Sequence, residues 1–294
     1  MTVFALPGYR TLLPDGLGER SVPALGRCRL ARFANGELYL RAETIVEGHV
    51  CAVLGSLAPP DEQLLKVLLL AHTLKREGAR RVVALLPYLG YARQDQAEPG
   101  QSLGAAWVGA LLAGAGVDEV VTVDVHSPQA ADCIPLPVRS LSPAGVFADA
   151  LRHQELTEVT VVAPDEGALS RCEAVARAAG IEAPVAHLRK HRDARGVTHS
   201  ALVGEITPRI VIVDDILDTG GTLLSACRAL RRAGALEITV MVTHGLFTDE
   251  RWRELPAVGV QRIYATDSLP GAGERGGGTV EVLSLASLIV DALG

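Results

Sequence analysis

The chain has 294 residues, of which 48% are hydrophobic and 21% charged, so it holds enough aliphatic material for about two packed domains rather than a disordered chain. A formal net charge of -6 excludes non-specific nucleic-acid binding through a basic surface, and no nucleic-acid partner is expected. The longest apolar stretch, 103–117, is shorter than the ~20 residues of a membrane-spanning helix, and no secretory signal is visible at the N-terminus. We therefore expect a cytoplasmic protein without a membrane partner.

Short aliphatic runs recur along the chain between turn residues. They are nearly continuous in Val, Ile and Leu, which is typical of strands buried on both faces of a parallel sheet. The predicted strands, in chain order, are Val50–Leu54, Arg81–Leu86, Glu119–Val125, Val159–Ala163, Arg209–Val213, Ile238–Thr243 and Arg262–Ala265. Segments with helical periodicity lie between them, at Asp61–Glu77, Leu103–Ala115, Gly167–Ala179 and Gly221–Ala233. The alternation predicts an α/β fold with mainly parallel sheets flanked by helices.

Prolines punctuate the chain between Cys133 and Pro143. This break predicts a first domain over residues 1–140 and a second over 141–280, with a tail of about 281–294 that packs onto the first. Residues 271–276 match the dinucleotide pattern GxGxxG, but they precede a strand-like run instead of opening a helix after one. We therefore interpret 271–278 as a mobile loop and not as a cofactor site.

Polar or acidic residues stand where several of the predicted strands end. In open α/β sheets, ligands bind outside the carboxyl ends of the strands, and Mg²⁺ prefers oxygen ligands shared with phosphates. A single acid at such a place could equally cap a helix, so each residue keeps both interpretations. The residues are Asp124, His126, Asp165, Asp214, Asp215, His244 and Asp267.

The segment 213–222 carries the most specific signal. A buried strand runs into Asp214 and Asp215, and a glycine-rich loop then leads into a predicted helix. Residues 219–222 offer consecutive backbone N–H groups and two hydroxyls at a helix N-terminus, which suits a phosphate monoester. Gly220 and Gly221 leave room for the backbone to approach that anion. The two acids would repel a bare phosphate, so we expect them to face a sugar diol or Mg²⁺.

This segment resembles the phosphoribosyl-binding loop of type I phosphoribosyltransferases and of ribose-phosphate pyrophosphokinases. Four further segments, in the expected order, resemble only the second family: 33–37, 87–95, 122–126 and 163–167. The resemblance to ribose-phosphate pyrophosphokinases (phosphoribosyl pyrophosphate synthetases) runs from about Phe33 to Leu293. It implies two tandem type I phosphoribosyltransferase-like domains and transfer of the diphosphoryl group of ATP to the anomeric hydroxyl of ribose 5-phosphate, with phosphoribosyl pyrophosphate and AMP as products.

The resemblance also implies roles for individual residues. Ribose 5-phosphate would be held by Asp218, Thr219, Gly220, Gly221 and Thr222, with Asp214 and Asp215 facing the ribose hydroxyls and the metal. ATP would be approached by Phe33, Asn35, Glu37, Arg93, Gln94 and Asp95. Mg²⁺ would lie near His126 and Asp165, and Lys190 and Arg192 would be catalytic. Members of this family form homo-oligomers, so a dimer or hexamer is expected.

Two of these assignments also have support from the residues themselves. Asp124 stands two residues before His126, which in a strand places both on one face. Lys190 is one of only three lysines in the chain and lies in a basic stretch, 187–197, that follows a likely strand and precedes no regular pattern, which predicts a mobile basic loop. A point charge on a mobile basic loop suits a phosphoryl-transfer transition state.

Three positions depart from the family pattern. Asn35 stands where an aspartate is common, Gln96 where a basic residue is usual, and Ala168 where glycine is frequent and where a side chain could narrow the approach to the sugar side. The departures fall mostly on the nucleotide half, so they put nucleotide preference and affinity in question. Two alternatives therefore stay open: a non-catalytic paralogue that regulates an active synthetase, and a phosphoribosyltransferase.

Overall fold

The computed structural model describes residues 1–13, 24–154, 158–193 and 196–293. It divides into two compact units, one formed by the described residues of Met1–Leu141 and Ala286–Gly294 and the other by Ser142–Leu285. Each unit contains a mainly parallel sheet flanked by helices, which confirms the predicted α/β class. Within those described ranges, no helix has both the length and the apolar character needed to cross a membrane.

The first unit contains a six-stranded sheet in the order β2-β1-β5-β6-β7-β8, in which every neighbouring pair is parallel. A separate antiparallel pair, β3-β4, projects the turn 33–37. The strands are β1 (Thr2–Ala5), β2 (Ala24–Leu25), β3 (Cys28–Arg32), β4 (Leu38–Ala42), β5 (Val50–Leu54), β6 (Arg81–Leu86), β7 (Glu119–Val123) and β8 (Val138–Leu141). The helices are α1 (Glu62–Arg76), α2 (Gly104–Gly114), α3 (Pro128–Asp132) and, after the second unit, α8 (Ala286–Leu293), besides a 3₁₀ helix at Arg10–Leu12.

The second unit contains a seven-stranded sheet in the order β11-β10-β9-β12-β13-β14-β15, in which only β11 is antiparallel to its neighbour. The strands are β9 (Val159–Ala163), β10 (Ala186–Asp193), β11 (Gly196–Val203), β12 (Arg209–Leu217), β13 (Glu237–Gly245), β14 (Val260–Thr266) and β15 (Val280–Leu283). The helices are α4 (Ala144–Arg152), α5 (Leu169–Ala179), α6 (Gly221–Arg232) and α7 (Ala272–Arg275), with 3₁₀ helices at Glu166–Ala168 and Arg251–Val258.

The position of β12 inside this sheet fixes the segment that follows it. Its residues 210–213 are all buried, and it pairs with β9 on one side and β13 on the other. Helix α6 then packs back on the sheet through Leu223, Leu224, Ala226, Cys227 and Leu230, which recur at helical spacing on one face. The loop between β12 and α6 is thus held at both ends by buried residues.

Three local predictions were wrong. The basic stretch after residue 186 is not irregular, because β10 pairs with β9 and forms a hairpin with β11. Strand β7 ends at Val123, and Asp124 follows with a φ of 48°, so the strand alternation proposed for Asp124 and His126 does not exist. The glycine-rich segment 271–278 contains the short helix α7 rather than only a loop.

Candidate active site

The loop 218–220 joins β12 to α6 and carries the strongest prediction from the sequence. Gly220 has a φ of +85°, a conformation that side chains rarely adopt. A Cβ at this position would lie 2.6 Å from the Cα of Trp252, so the main chain of the 3₁₀ helix that begins at Arg251 passes directly behind the loop. The packing of the protein itself therefore requires glycine at position 220.

Gly221, the first residue of α6, has a different environment. Its φ is not positive, and the atoms nearest to a Cβ built there are Nη1 of Arg251 and Oγ1 of Thr219, both at 3.7 Å. Neither the backbone conformation nor the packing requires glycine here. A Cβ at this position would meet only ordinary contacts, and the first turn of α6, whose N–H groups have no acceptor within the helix, forms a cradle of the kind that binds phosphate.

The side chains around the cradle are held by neighbouring segments. The Thr248 hydroxyl, which follows β13, donates a hydrogen bond to Oδ1 of Asp218. The Thr219 hydroxyl accepts from the Gly221 N–H at 3.5 Å. The sequence reasoning missed Thr248, because an isolated threonine after a strand carries no motif; only the pairing of β12 with β13 places it beside Asp218.

Negative charge is concentrated beside the cradle. The pKa of Asp214 is raised well above its usual value, first by loss of solvent around the carboxyl group and then by the charge of Asp215, with a smaller effect from Asp165. The positive charge of Arg171, on α5, opposes this shift. Such carboxylate crowding suits a cation or a group of hydroxyls. Arg171 is a second residue that the sequence reasoning did not identify.

Asp165 keeps both of the interpretations given to it from the sequence. Its Oδ1 accepts a hydrogen bond of 3.2 Å from the N–H of Ala168 and so caps the 3₁₀ helix 166–168. Its charge nevertheless acts on Asp214. The Ala168 side chain is 1% exposed and packs in the core with Ala163 and Cys172, so this departure from the family pattern adds a methyl group to the core.

His244 and Asp267, which also stand at strand ends, have structural partners. Nδ1 of His244 and Oγ of Ser268 lie 2.9 Å apart, and that serine hydroxyl donates to the carbonyl of Thr243. Oδ1 of Asp267 accepts from the N–H of Leu285 at 2.7 Å. Burial raises the pKa of the Asp267 carboxyl. For these two residues the structural interpretation is sufficient.

In the first unit, three predicted ATP-side residues occupy a single turn between β3 and β4. The N–H of Phe33 donates to the carbonyl of Glu37 at 2.9 Å, and Oδ1 of Asn35 accepts from the Glu37 N–H at 3.2 Å. An aspartate could accept this hydrogen bond equally well, so the Asn35 departure preserves the turn and removes a charge. The Phe33 ring is 55% exposed and meets Tyr39 edge-on, with centroids 5.3 Å apart.

The other ATP-side residues lie between β6 and α2. Gln94 is tied into the start of α2, since its carbonyl accepts from the Ala105 N–H and its Oε1 from Ser102 at 2.9 Å. Asp95 accepts a hydrogen bond from the hydroxyl of Ser127. This contact brings Asp95 next to the residue that follows His126, while Arg93 and His126 are exposed.

Lys190 and Arg192 lie in β10, opposite His199 and Val197 of β11, and the register shifts between Arg189 and Lys190. The side chains of Lys190 and Arg192 are outside the described part of the structure, so their predicted roles rest on the sequence alone.

The predicted metal residues are divided between the units, with His126 in the first and Asp165 in the second. Among the residues that the structure describes, no three His, Cys, Asp or Glu side chains form a ready-made metal cage. Mg²⁺ typically takes only one or two carboxylates and completes its coordination shell with water and substrate phosphates. The carboxylates around Asp214 are ligands of the type that this ion prefers.

Comparison with known proteins agrees with this geometry. Residues 10–116 match the family described as the N-terminal domain of ribose phosphate pyrophosphokinase, and residues 144–262 match the phosphoribosyl transferase domain family. The ribose-phosphate pyrophosphokinase of Corynebacterium glutamicum is 36% identical over 264 residues, which cover 87% of this chain and 81% of the relative. The chain belongs to the ribose-phosphate pyrophosphokinase family.

Further relatives of the ribose-phosphate pyrophosphokinase family agree over most of the chain. The ribose-phosphate pyrophosphokinase of Thermotoga maritima is 34% identical and aligns over 92% of this chain and 86% of its own length. The crystal structure of phosphoribosylpyrophosphate synthetase from Mycobacterium smegmatis superposes with a TM-score of 0.85 at 29% identity, covering 99% of this chain and 97% of that one. The predicted family, fold class and enzyme class are confirmed.

Proposed function

We propose that the chain transfers the β,γ-diphosphoryl group of ATP to ribose 5-phosphate. The anomeric hydroxyl oxygen attacks the β-phosphorus, the bond from that phosphorus to the α,β-bridging oxygen breaks, and the hydroxyl proton is lost. The products are phosphoribosyl pyrophosphate and AMP. The observation that carries the proposal is the glycine cradle at the N-terminus of α6, which follows a strand, β12, that carries the two adjacent carboxylates Asp214 and Asp215.

On the sugar side, the 5′-phosphate would occupy the cradle. The N–H groups of Gly221 and Thr222 and the hydroxyl of Thr219 would donate to its oxygens, and the helix dipole would add favourable potential. Asp214, Asp215 and Asp218 would accept hydrogen bonds from the ribose hydroxyls, because carboxylates are acceptors that bind a diol and repel a second phosphate.

On the nucleotide side, Phe33 would lie against the purine, and Asn35 and Glu37 would offer polar contacts at its edge. Arg93, Gln94 and Asp95 would lie near the triphosphate and the purine. The exposure of Phe33 fits such a role, since a ring that is 55% exposed gains contact area when a flat base covers it.

Electrostatic stabilisation would supply most of the catalysis, because the reaction joins two anionic substrates. His126 and Asp165 would be the metal-side residues of their respective units, and Mg²⁺, when bound, would neutralise charge on the diphosphoryl group. Lys190 and Arg192 would place positive charge on the transferred group and on the departing AMP. We also propose that the chain acts as a homo-oligomer, a dimer or a hexamer, as the sequence resemblance implies.

Release of AMP tests this function directly. The purified protein is incubated with ATP and Mg²⁺, with and without ribose 5-phosphate, and AMP is measured in a coupled assay. We expect AMP release that requires both the sugar and the metal ion. A protein that binds ribose 5-phosphate but releases no AMP from any nucleotide would instead be the regulatory paralogue. Turnover of a nucleobase without release of AMP would indicate a phosphoribosyltransferase.

Replacement of Asp218 tests the sugar assignment. Asp218→Ala should raise the KM for ribose 5-phosphate about tenfold or more, since it removes a charged hydrogen-bonding group from the proposed site. The matched control is Asp249→Ala, because the exposed Asp249 carboxylate accepts only a local hydrogen bond from the Glu250 N–H in the described structure. Unchanged sugar saturation in Asp218→Ala would mean that the loop has been misassigned.

A further inference from the structure

We infer that Arg251 is an additional binding residue for the 5′-phosphate, supplied by the segment that follows β13 rather than by the loop itself. This inference rests on the proposed function, because it assumes that the cradle at Gly221 receives the phosphate of ribose 5-phosphate. No motif of the sequence pointed to Arg251.

The position of Arg251 follows from the close approach of two main chains. Trp252 is 1% exposed, and its ring packs against Phe247 with centroids 4.9 Å apart. Its backbone lies so near Gly220 that a Cβ there would come within 2.6 Å of it. Anchoring Trp252 in this way holds the preceding residue at the rim of the cradle. Nη1 of Arg251 accordingly lies 3.7 Å from the point where a Cβ of Gly221 would be.

The charges around Arg251 leave its guanidinium available. Glu250 pairs with Arg253, and Glu254 pairs with Arg228 at 3.4 Å. Across the described ranges of the chain, Arg251 itself forms no ion pair or hydrogen bond, and it is exposed. An unpaired guanidinium at the mouth of a helix N-terminus is a strong donor for a phosphate, because it can give two parallel charge-assisted hydrogen bonds.

The arrangement has a chemical consequence for the site. The loop N–H groups bind phosphate through dipoles, whereas Asp214, Asp215 and Asp218 bring negative charge close to the same anion. A full positive charge from Arg251 would offset that repulsion on the phosphate side and leave the carboxylates free to face the ribose hydroxyls.

The test uses Arg251→Ala, Arg251→Lys and the control Arg232→Ala. Arg232 is an exposed arginine in the last turn of α6, about 16 Å along the helix from Gly221. Binding of ribose 5-phosphate is measured by calorimetry, and competition by inorganic phosphate reports on the anion alone. We expect the dissociation constants of both to rise about tenfold in Arg251→Ala, by less in Arg251→Lys, and by less than twofold in Arg232→Ala.

Steady-state kinetics separates a binding role from a structural one. In Arg251→Ala, the KM for ribose 5-phosphate should rise while kcat, the KM for ATP and the melting temperature stay within error of the parent protein. If Arg251→Ala binds ribose 5-phosphate and inorganic phosphate as tightly as the parent protein does, the inference is overturned, while the proposed function is unaffected. Failure of the parent protein to bind ribose 5-phosphate would overturn both.

Discussion

The two candidate substrate regions, one in each unit, are built in different ways. The sugar-side loop of the second unit is fixed by backbone packing, since Gly220 lies against Trp252 and both flanking elements are buried in the sheet and its covering helix. The nucleotide-side turn of the first unit projects on a two-stranded ribbon, and its principal apolar residue, Phe33, is 55% exposed. Ligand binding to a rigid loop depends on backbone geometry, whereas binding to an exposed side chain depends on the contact area it offers. Substitutions in the two regions should therefore have different effects on KM and stability.

The largest effect is expected at Lys190, which belongs to neither of these two regions and whose charge would act on the transferred diphosphoryl group. Lys190→Ala should lower kcat about 100-fold or more, with less than a twofold change in the KM for ribose 5-phosphate, since its charge would stabilise the transition state only. Lys66→Ala is the control, because Lys66 pairs with Glu62 within helix α1. An unchanged kcat in Lys190→Ala would remove this residue from the mechanism.

Two neighbouring glycines give the sharpest test of the preformed loop. Gly221→Ala adds a methyl group where the protein leaves space, so we expect an unchanged or higher melting temperature together with a KM for ribose 5-phosphate raised about tenfold. Gly220→Ala adds a methyl group against the Trp252 backbone at positive φ, which should lower the free energy of unfolding by about 1–3 kcal/mol. Thermal denaturation and steady-state kinetics measure both.

If Gly221→Ala saturates with ribose 5-phosphate as the parent protein does, the helix N-terminus at position 221 is not the phosphate cradle. If Gly220→Ala is as stable as the parent, the loop yields to the added methyl group and is not fixed by backbone packing.

The smallest effect is expected at the exposed turn. Phe33→Ala should raise the KM for ATP about threefold to tenfold, because a stacking surface worth about 1 kcal/mol is lost, while the melting temperature stays the same. Ile45→Ala is the control, since Ile45 belongs to the same unit and is 81% exposed. A large loss of stability in Phe33→Ala would show that the ring supports the fold instead of a ligand.

The sequence correctly predicted the strands whose burial on both faces leaves a continuous run of aliphatic residues. The strands Val50–Leu54, Arg81–Leu86 and Val159–Ala163 coincide with the predicted ones because both faces of each are covered. The strand–loop–helix arrangement at 213–222 was also predictable, since a strand, two acids, two glycines and a helix form a local pattern. Strand β12 nevertheless extends to Leu217, four residues further than predicted, because pairing with β13 overrides the polar sequence.

Features that depend on distant partners were not predictable. Strand β10 is rich in charged residues and its partner β11 forms the edge of the sheet, so the apolar pattern of a buried strand is missing from β10. The left-handed backbone of Asp124 breaks the alternation that was used to pair it with His126. Thr248 and Arg171 reach the site only through the sheet topology and a helix packed against it.

A crystal structure of the protein soaked with ribose 5-phosphate tests the sugar site most directly. We expect the 5′-phosphate at the N-terminus of α6, within hydrogen-bonding distance of the N–H groups of Gly221 and Thr222, and the ribose hydroxyls facing the carboxylates of Asp214 and Asp215 in β12. A phosphate bound at any other place, with nothing in front of Gly221, would contradict the assignment of the loop and the function built on it.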